Sequence, residues 1–480
     1  MTFLNRSFLV LPLVTTLLAS SPVCATDLSD ILKTSADRLV VVREPIAVGE
    51  DTTVPKGRHL RVEPGGIIKI AAGVTLTIDG GLEAGAYQIF SGDGNVAGDA
   101  KIERVLPEWF FDGNYDDEAS DWSDAINKSI NFAANNCLTV FLGPQVYNVN
   151  STVDLTSTPQ RQRAGMKLMG ALRSTQYERG TALLGNTGPG NPILETTDTD
   201  GIHVVNLALR AGKKNPSTIG LLQARGTGTG WGGDHVYDNL YVNMGSVPAA
   251  NDGVGTIGVV NLAGEETRYE NLQVWANLPV VLTWDRTFMV TNPELNGTSR
   301  HLTVKSPAGL PLAEKASSTV YAFTGLGRLI ALDHISPVLL MNAAGTVDMG
   351  HTFMQRRDAD PAAGRVGDYV AAIESWNCYQ FRHFGSLEGL PVYMLSRRDL
   401  TEAEIHVRIA GAEAKGRPLI QLYDDGGPYI FRNVNMVYYT YDTDRPLIDY
   451  KRFNEAGGFK IESSSFRGNL KEINNVEVKP

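Results

Sequence analysis

Short runs of apolar residues alternating with polar ones, each closed by glycine, characterise the first hundred positions of the chain. Val40-Val41-Val42, His59-Leu60-Arg61-Val62, Ile67-Ile68-Lys69-Ile70 and Val74-Thr75-Leu76-Thr77-Ile78 have the length of strands, and Gly65-Gly66 and Gly80-Gly81 punctuate them. Leu76 and Ile78 alternate with threonines, as in a strand with one buried face. Residues 26–106 are therefore expected to form a β-rich portion. It is either a subdomain or the first coils of a solenoid, shielding an end that would otherwise present unpaired strand edges.

The period then changes. Trp122, Ile126, Ile130 and Ala133 recur at helical spacing and predict one amphipathic helix from Asp121 to Asn135. Beyond residue 200 a short pattern repeats: Val205-Asn206-Leu207, Asp238-Asn239-Leu240, Glu270-Asn271-Leu272, Arg300-His301-Leu302 and, later, Arg432-Asn433-Val434. The first four stand about 30 residues apart, a spacing typical of repeats that bury a shared core. In such a coil the apolar residues stack inward, and the asparagine at the bend bonds backbone of the next coil. His301 takes the asparagine position, and Asp333-His334-Ile335 and Arg382-His383-Phe384 read the same way. These histidines are expected to be turn residues rather than bases.

Composition narrows the class. Of 480 residues, 49 are glycine and only 20% are charged, which suits an all-β chain with many tight turns. A formal charge of −10 argues against nucleic acid or an anionic membrane as partner. Met1 to Ala25 reads as a signal peptide, with Arg6 in the n-region, an apolar run from Phe8 to Leu18 and Val23-Cys24-Ala25 at the cleavage site. A secreted or periplasmic protein is expected, with no membrane contact after cleavage. Cleavage leaves Cys137 and Cys378, which are read as buried small side chains rather than a disulfide framework or a metal site.

The stretch from Pro107 to Asn150 adds a family resemblance. The acidic loop Asp112-Gly113-Asn114-Tyr115-Asp116-Asp117 leads to a helix containing Asp124-Ala125-Ile126, then to a strand and the turn Gly143-Pro144-Gln145-Val146-Tyr147. This resembles the opening of the pectate-lyase-like superfamily, which includes rhamnogalacturonase and epimerase-like domains and phage tailspikes. The resemblance implies a right-handed parallel β-helix over 107–480, capped by the helix, and a polysaccharide as substrate. Asp116 and Asp117 are expected to cap amides or anchor their loop. A homotrimer, as in tailspikes, and a monomer both remain open.

Glycoside hydrolysis needs two facing carboxyl groups, whereas elimination or epimerisation of a uronate needs a base and a cation. The ordered motifs of polygalacturonases, calcium-dependent pectate lyases and mannuronan epimerases are absent from the sequence. Four clusters offer comparable chemistry. Trp231, Asp234 and His235 join an aromatic, a carboxylate and an imidazole after a glycine-rich turn. Arg356, Arg357 and Arg365, near His351, are suited to bidentate contact with sugar carboxylates. Glu374 lies in an apolar run beside Trp376, and Asp424 and Asp425 form an adjacent pair. Catalysis is thus expected from Asp234, His235, His351, Glu374, Asp424 or Asp425. Substrate contact is expected from Trp231, Arg356, Arg357, Arg365 or Trp376, with no metal and no cofactor. The leading expectation is an enzyme that cleaves a polysaccharide by hydrolysis or β-elimination. A non-catalytic carbohydrate-binding or surface protein and a uronate epimerase are the alternatives.

Overall fold

The computed structural model describes residues 27–283, apart from 35–36, 116, 118, 137, 158–162, 174–179, 227–231, 246–255, 263, 265–266 and 277. From 284 onward it describes the backbone of strands only.

The N-terminal portion is a small solenoid. Helix α1 (Leu28–Thr34) packs against the first coil. That coil consists of β1 (Leu39–Val42), β2 (Ile46–Val48) and β3 (Thr52–Val54). The second is β4 (His59–Val62), β5 (Ile68–Ile70) and β6 (Thr75–Ile78), and the third β7 (Gly81–Glu83), β8 (Phe90–Ser91) and β9 (Asn95–Ala97). The coils stack as three parallel three-stranded sheets, β1-β4-β7, β2-β5-β8 and β3-β6-β9. The strands expected at Val40, His59, Ile67 and Val74 are all present. Alternation decides the faces: Leu60, Val62, Ile68, Ile70, Leu76 and Ile78 are buried, while the residues between them are more exposed. Gly66 is needed where coils approach, since a Cβ there would lie 2.3 Å from Val42 O.

The chain then crosses to a second set of coils. Val105 bridges to Val140, and the buried helix face, Trp122, Ile126, Ile130 and Ala133, closes the core over α2 (Ser123–Ala134). Asp121 anchors this junction. Its Oδ1 accepts the Ser123 N–H at 2.9 Å and the Asn150 N–H at 3.1 Å. Asp117 anchors its own loop by accepting the Ala119 N–H at 2.8 Å; Asp116 lies outside the described residues. The Phe111 and Trp122 rings stack at 3.5 Å, and the buried Glu108 carboxylate accepts the Tyr147 hydroxyl at 2.9 Å. Burial pushes the Glu108 carboxyl up, and holds the Tyr147 phenol in its protonated form. The resembling motif is therefore the joint between the two sets of coils.

The main set begins with β10 (Thr139–Leu142), β11 (Val146–Val149) and β12 (Val153–Asp154), continues through β13 (Lys167–Gly170), β14 (Ala182–Gly185) and β15 (Pro192–Thr197), and then β16 (His203–Ala211) and β17 (Ile219–Ala224). Next come β18 (Val236–Asn243), β19 (Ile257–Leu262), β20 (Thr267–Ala276) and β21 (Leu278–Thr283). Pairing skips along the chain: β15 with β17, β16 with β18, β17 with β19, β18 with β20, all parallel. This is the parallel β-helix that the resemblance implies. Asn206, Asn239 and Asn271 occupy the left-handed region at φ 58°, 54° and 51°, where asparagine is tolerated better than most residues. Asn239 Nδ2 donates to Asn206 Oδ1 at 2.7 Å and Asn271 Nδ2 to Asp238 Oδ1 at 2.9 Å. The expected corner ladder is present, but it runs side chain to side chain rather than to backbone.

Beyond Thr283 the repeat is interrupted. Strands β22 (Thr287–Asn292) and β23 (Thr298–Thr303) form an antiparallel hairpin, with His301 opposite Met289. The coil that follows Asn271 is β24 (Val320–Ala331), with Leu272 paired to Leu326. His301 thus does not take an asparagine position; an insertion of matching length imitates the period. The coils continue through β25 (Val338–Met341), β26 (Ala343–Met354), β27 (Ile373–Tyr379) and β28 (Arg382–Glu388) to a last strand at Phe459–Glu462. His383 pairs with Asp348, in the row of Thr324 and Tyr269, two positions before the corner at Asn271, so it is not a corner residue either. His334, Asn433 and Cys137 lie outside the described residues.

Candidate functional site

Two carboxylates meet where β12 lies beside β15. Val153 pairs with Leu194 and both are fully buried, so alternation turns the next pair, Asp154 and Glu195, to the other face together. They line a cleft of about 330 Å³ with Asn127, Asn150, Ser151, Thr152, Thr187 and Asn191. Among the described residues, the lining carries hydroxyls, amides and two carboxylates.

Each wall is held from behind. On α2, Asn127 donates through Nδ2 to Thr152 O at 3.1 Å and accepts the Asp154 N–H at 2.9 Å, which clamps β12 to the helix. Asp154 Oδ1 accepts the Thr156 N–H at 2.8 Å and lies 3.6 Å from Arg163 Nη1. Arg163 is fully buried, donates also to Asp154 O, and reaches Asn131 Oδ1 at 2.7 Å. Glu195 is fully buried and its Oε1 accepts the Thr197 hydroxyl at 2.6 Å. On the far wall, Asn191 Nδ2 donates to Thr187 O at 2.9 Å and the Thr187 hydroxyl meets Ser217 Oγ at 2.6 Å. The acceptors and donors of the cleft are thereby fixed at the spacing of adjacent strands, about 4.8 Å.

Of the sequence-predicted residues, neither Asp234 nor His235 is among those lining this cleft. Asp234 is an exposed turn residue at φ 57°, just before β18. His235 is fully buried. Its Nδ1 accepts the Ile202 N–H at 3.0 Å, and burial next to His203 drives its pKa down to about 3. It is a neutral imidazole inside the coil. Next to it the Tyr237 and Tyr269 rings stack at 5.2 Å, with Tyr237 bonded to Thr196 at 2.6 Å and Tyr269 donating to Gln223 at 3.0 Å. Glu374 and Trp376 share β27, and His351 lies in β26, next to a register shift. Trp231, Arg356, Arg357, Arg365, Asp424 and Asp425 lie outside the described residues. Register links two of these regions: the row of Glu195 runs through Leu222, Val260, Val281 and Leu339 to Glu374.

Sequence reasoning missed Asp154, Glu195 and Arg163. The usable signal was a lone carboxylate within an apolar strand, Val153-Asp154-Leu155 and Ile193-Leu194-Glu195, the same signal that singled out Glu374. A second cavity of about 70 Å³, between the N-terminal coils and α2, is lined by Phe90, Phe110, Asp112 and Lys128 among others. Among the described residues, no group of three or more His, Cys, Asp or Glu is placed to hold a metal, and no helix is long and apolar enough to cross a membrane.

No protein-family model and no curated protein matches the chain. Among solved structures it is similar to the gp42 tailspike of an Acinetobacter phage, at 10% identity and TM-score 0.45, over 76% of this chain and 58% of that one. It is also similar to the DFA-IIIase of Arthrobacter chlorophenolicus A6 without its lid, at 8% identity and TM-score 0.44, over 79% of this chain and 92% of that one. A third likeness is to an alginate lyase from Paenibacillus, at 9% identity and TM-score 0.35, over 72% of this chain and 94% of that one. The chain spans 58% of the tailspike it matches. Likenesses this distant do not bear on the reaction, and the fold rests on the strand pairing described above.

Proposed function

We propose that this chain is a carbohydrate-active β-helix protein that hydrolyses glycosidic bonds in the Asp154–Glu195 cleft. The observation that carries the reading is the register pairing of these two carboxylates within one polar cleft. Hydrolysis needs one carboxyl group to protonate the leaving oxygen and a second to attack the anomeric carbon or activate water. Side chains on paired neighbouring strands stand about 5 Å apart, near the separation of retaining rather than inverting glycosidases. In a retaining reaction one carboxylate bonds to the anomeric carbon as the leaving oxygen takes a proton from the other. Water then breaks that bond and returns a proton to the second carboxylate.

The division of roles follows from the surroundings. Asp154 stands beside Arg163, while Glu195 lies deeper and its Oε1 accepts the Thr197 hydroxyl. Asp154 suits the anionic role and Glu195 that of proton donor. The protein works as a secreted or periplasmic one, in keeping with the signal-like Met1–Ala25.

A second reading, carbohydrate binding without cleavage, is favoured by one observation: Asp154 Oδ1 is already engaged by Thr156 and Arg163. Incubating the purified chain with neutral and acidic polysaccharides separates the two. New reducing ends without ultraviolet absorbance, lost in Glu195→Gln, support hydrolysis. Absorbance from unsaturated uronates overturns it in favour of elimination. Polymer retained but unchanged supports the binding reading.

A further inference from the structure

We infer that the cavity between the third N-terminal coil and α2 is a binding pocket for the acetamido group of an N-acetylated sugar. The inference rests on the reading of this chain as carbohydrate-active and adds a substrate class to it. Size narrows the ligand first. A cavity of about 150 Å³ in a protein interior holds one benzene, with its six carbons, so one of about 70 Å³ suits about three or four heavy atoms. That is too small for a pyranose ring and matches a substituent carried by one. An acetamido group consists of a methyl carbon, a carbonyl carbon, an oxygen and a nitrogen.

The lining supplies a partner for each of these parts. Its floor is apolar: Phe90 and Phe110 are buried with ring centroids 5.1 Å apart, and both meet Phe132 edge-on at 6.3 and 6.2 Å. A methyl group settles against such a floor, which packing has already made rigid. Gly92 and Gly94 close one side with backbone, since a Cβ at either would lie 2.2 Å from Ile70. The rim is polar. Lys128 Nζ gives one proton to Asp124 Oδ2 at 2.7 Å and carries two more. Asn131 Oδ1 accepts Arg163 Nη2 at 2.7 Å; a guanidinium only donates, so this contact turns the amide N–H edge away from Arg163. Lys128 and Asn131 are neighbours on α2 and together offer donors to a carbonyl oxygen. Asp112 offers an acceptor to the acetamido N–H. A sugar hydroxyl in the same place would bring neither methyl nor carbonyl. The helix also carries Asn127, one turn before Asn131, on the wall of the Asp154–Glu195 cleft, so α2 borders both spaces.

Saturation-transfer NMR on the full chain tests the pocket with N-acetylglucosamine and N-acetylgalactosamine, set against glucose and galactose, the same rings bearing a hydroxyl instead. The acetyl methyl protons are expected to receive the strongest saturation, and the hydroxyl sugars to bind at least about tenfold more weakly. Ser91→Leu, which fills the cavity from β8, should abolish the methyl signal. Lys128→Met, at a half-buried position of α2, should weaken binding about tenfold. Glu195→Gln should leave the methyl signal in place. Methyl saturation missing from both N-acetyl sugars overturns the pocket, whatever becomes of the hydrolysis reading. A methyl signal that survives Ser91→Leu and Lys128→Met, or that is lost in Glu195→Gln, puts the acetyl group elsewhere and overturns it too. A signal lost in Ser91→Leu, with no glycan cleaved by the parent chain, upholds the pocket and overturns the hydrolysis reading alone.

Discussion

The two sets of coils share one winding and differ in what covers their outer faces. In the N-terminal coils the strands are two to four residues long and the outward side chains lie in water. Arg43 meets Glu63 at 2.8 Å and Arg61 meets Glu83 at 2.9 Å, all well exposed. In the main coils β15, β17, β19 and β21 have all six residues buried, so both faces of that sheet are covered. Only the second arrangement can shelter an outward carboxylate such as Glu195. Charged groups in water are screened, whereas sheltered ones can be given distinct roles. A cleft therefore belongs on the main coils, and the N-terminal coils serve as a support.

The largest expected effect separates the two regions by activity. Glu195→Gln should lower the initial rate of glycan hydrolysis by about 100-fold to 10,000-fold, the range of a lost general acid. Glu83→Gln, on the N-terminal coils, should leave that rate and the melting temperature unchanged, because a wet ion pair contributes little. Equal losses from both variants would erase the distinction.

Backbone fit gives the next effect. A Cβ on Gly170 would stand 2.1 Å from Asn206 O, a backbone atom that cannot move aside. Gly57, between the first two N-terminal coils, has φ +90° and nothing within 4 Å of a built Cβ. In urea denaturation Gly170→Ala should lose about 3 kcal/mol or more, and Gly57→Ala about 1–2 kcal/mol from its left-handed backbone alone.

The corner ladder should register more modestly. Asn239→Ala removes both the left-handed tolerance and the bond to Asn206, a loss of about 1–2 kcal/mol. Asn239→Gly keeps the first and should recover about half of that loss. Urea midpoints of the two variants check the order.

The last effect depends on pH. His235 is held at about 3 in the folded chain against an ordinary value near 6.5. Between these values the unfolded chain binds a proton that the folded chain refuses. Stability is therefore lost as pH falls through that window, at up to about 1.4 kcal/mol per pH unit. His235→Gln should flatten the slope of stability from pH 6.5 to 4 relative to the parent chain, and leave it unchanged above pH 7.

The legible parts of the fold were those written locally. Glycine pairs and alternating residues marked the N-terminal strands, helical spacing marked α2, and the asparagines of 206, 239 and 271 marked the corners, because left-handed backbone restricts residue choice. The hairpin at β22 and β23 was misread because its length matches the period, and only strand pairing distinguishes a coil from an insertion of equal size. The site was less legible still. Asp154 and Glu195 are distant in sequence and become neighbours through the register of β12 on β15, with β13 and β14 lying between them along the chain. A lone carboxylate in an apolar strand gives notice of one such residue and says nothing of its partner.

Because each coil pairs only with the one before and the one after, the molecule has a direction in which it is weak. A pull on its two ends loads the outermost strands one hydrogen bond after another, and never the whole ladder at once. Under force it should peel from its tips inward, a coil at a time, with the stacked rings of Phe111 and Trp122 marking the point where the thin end meets the broad one.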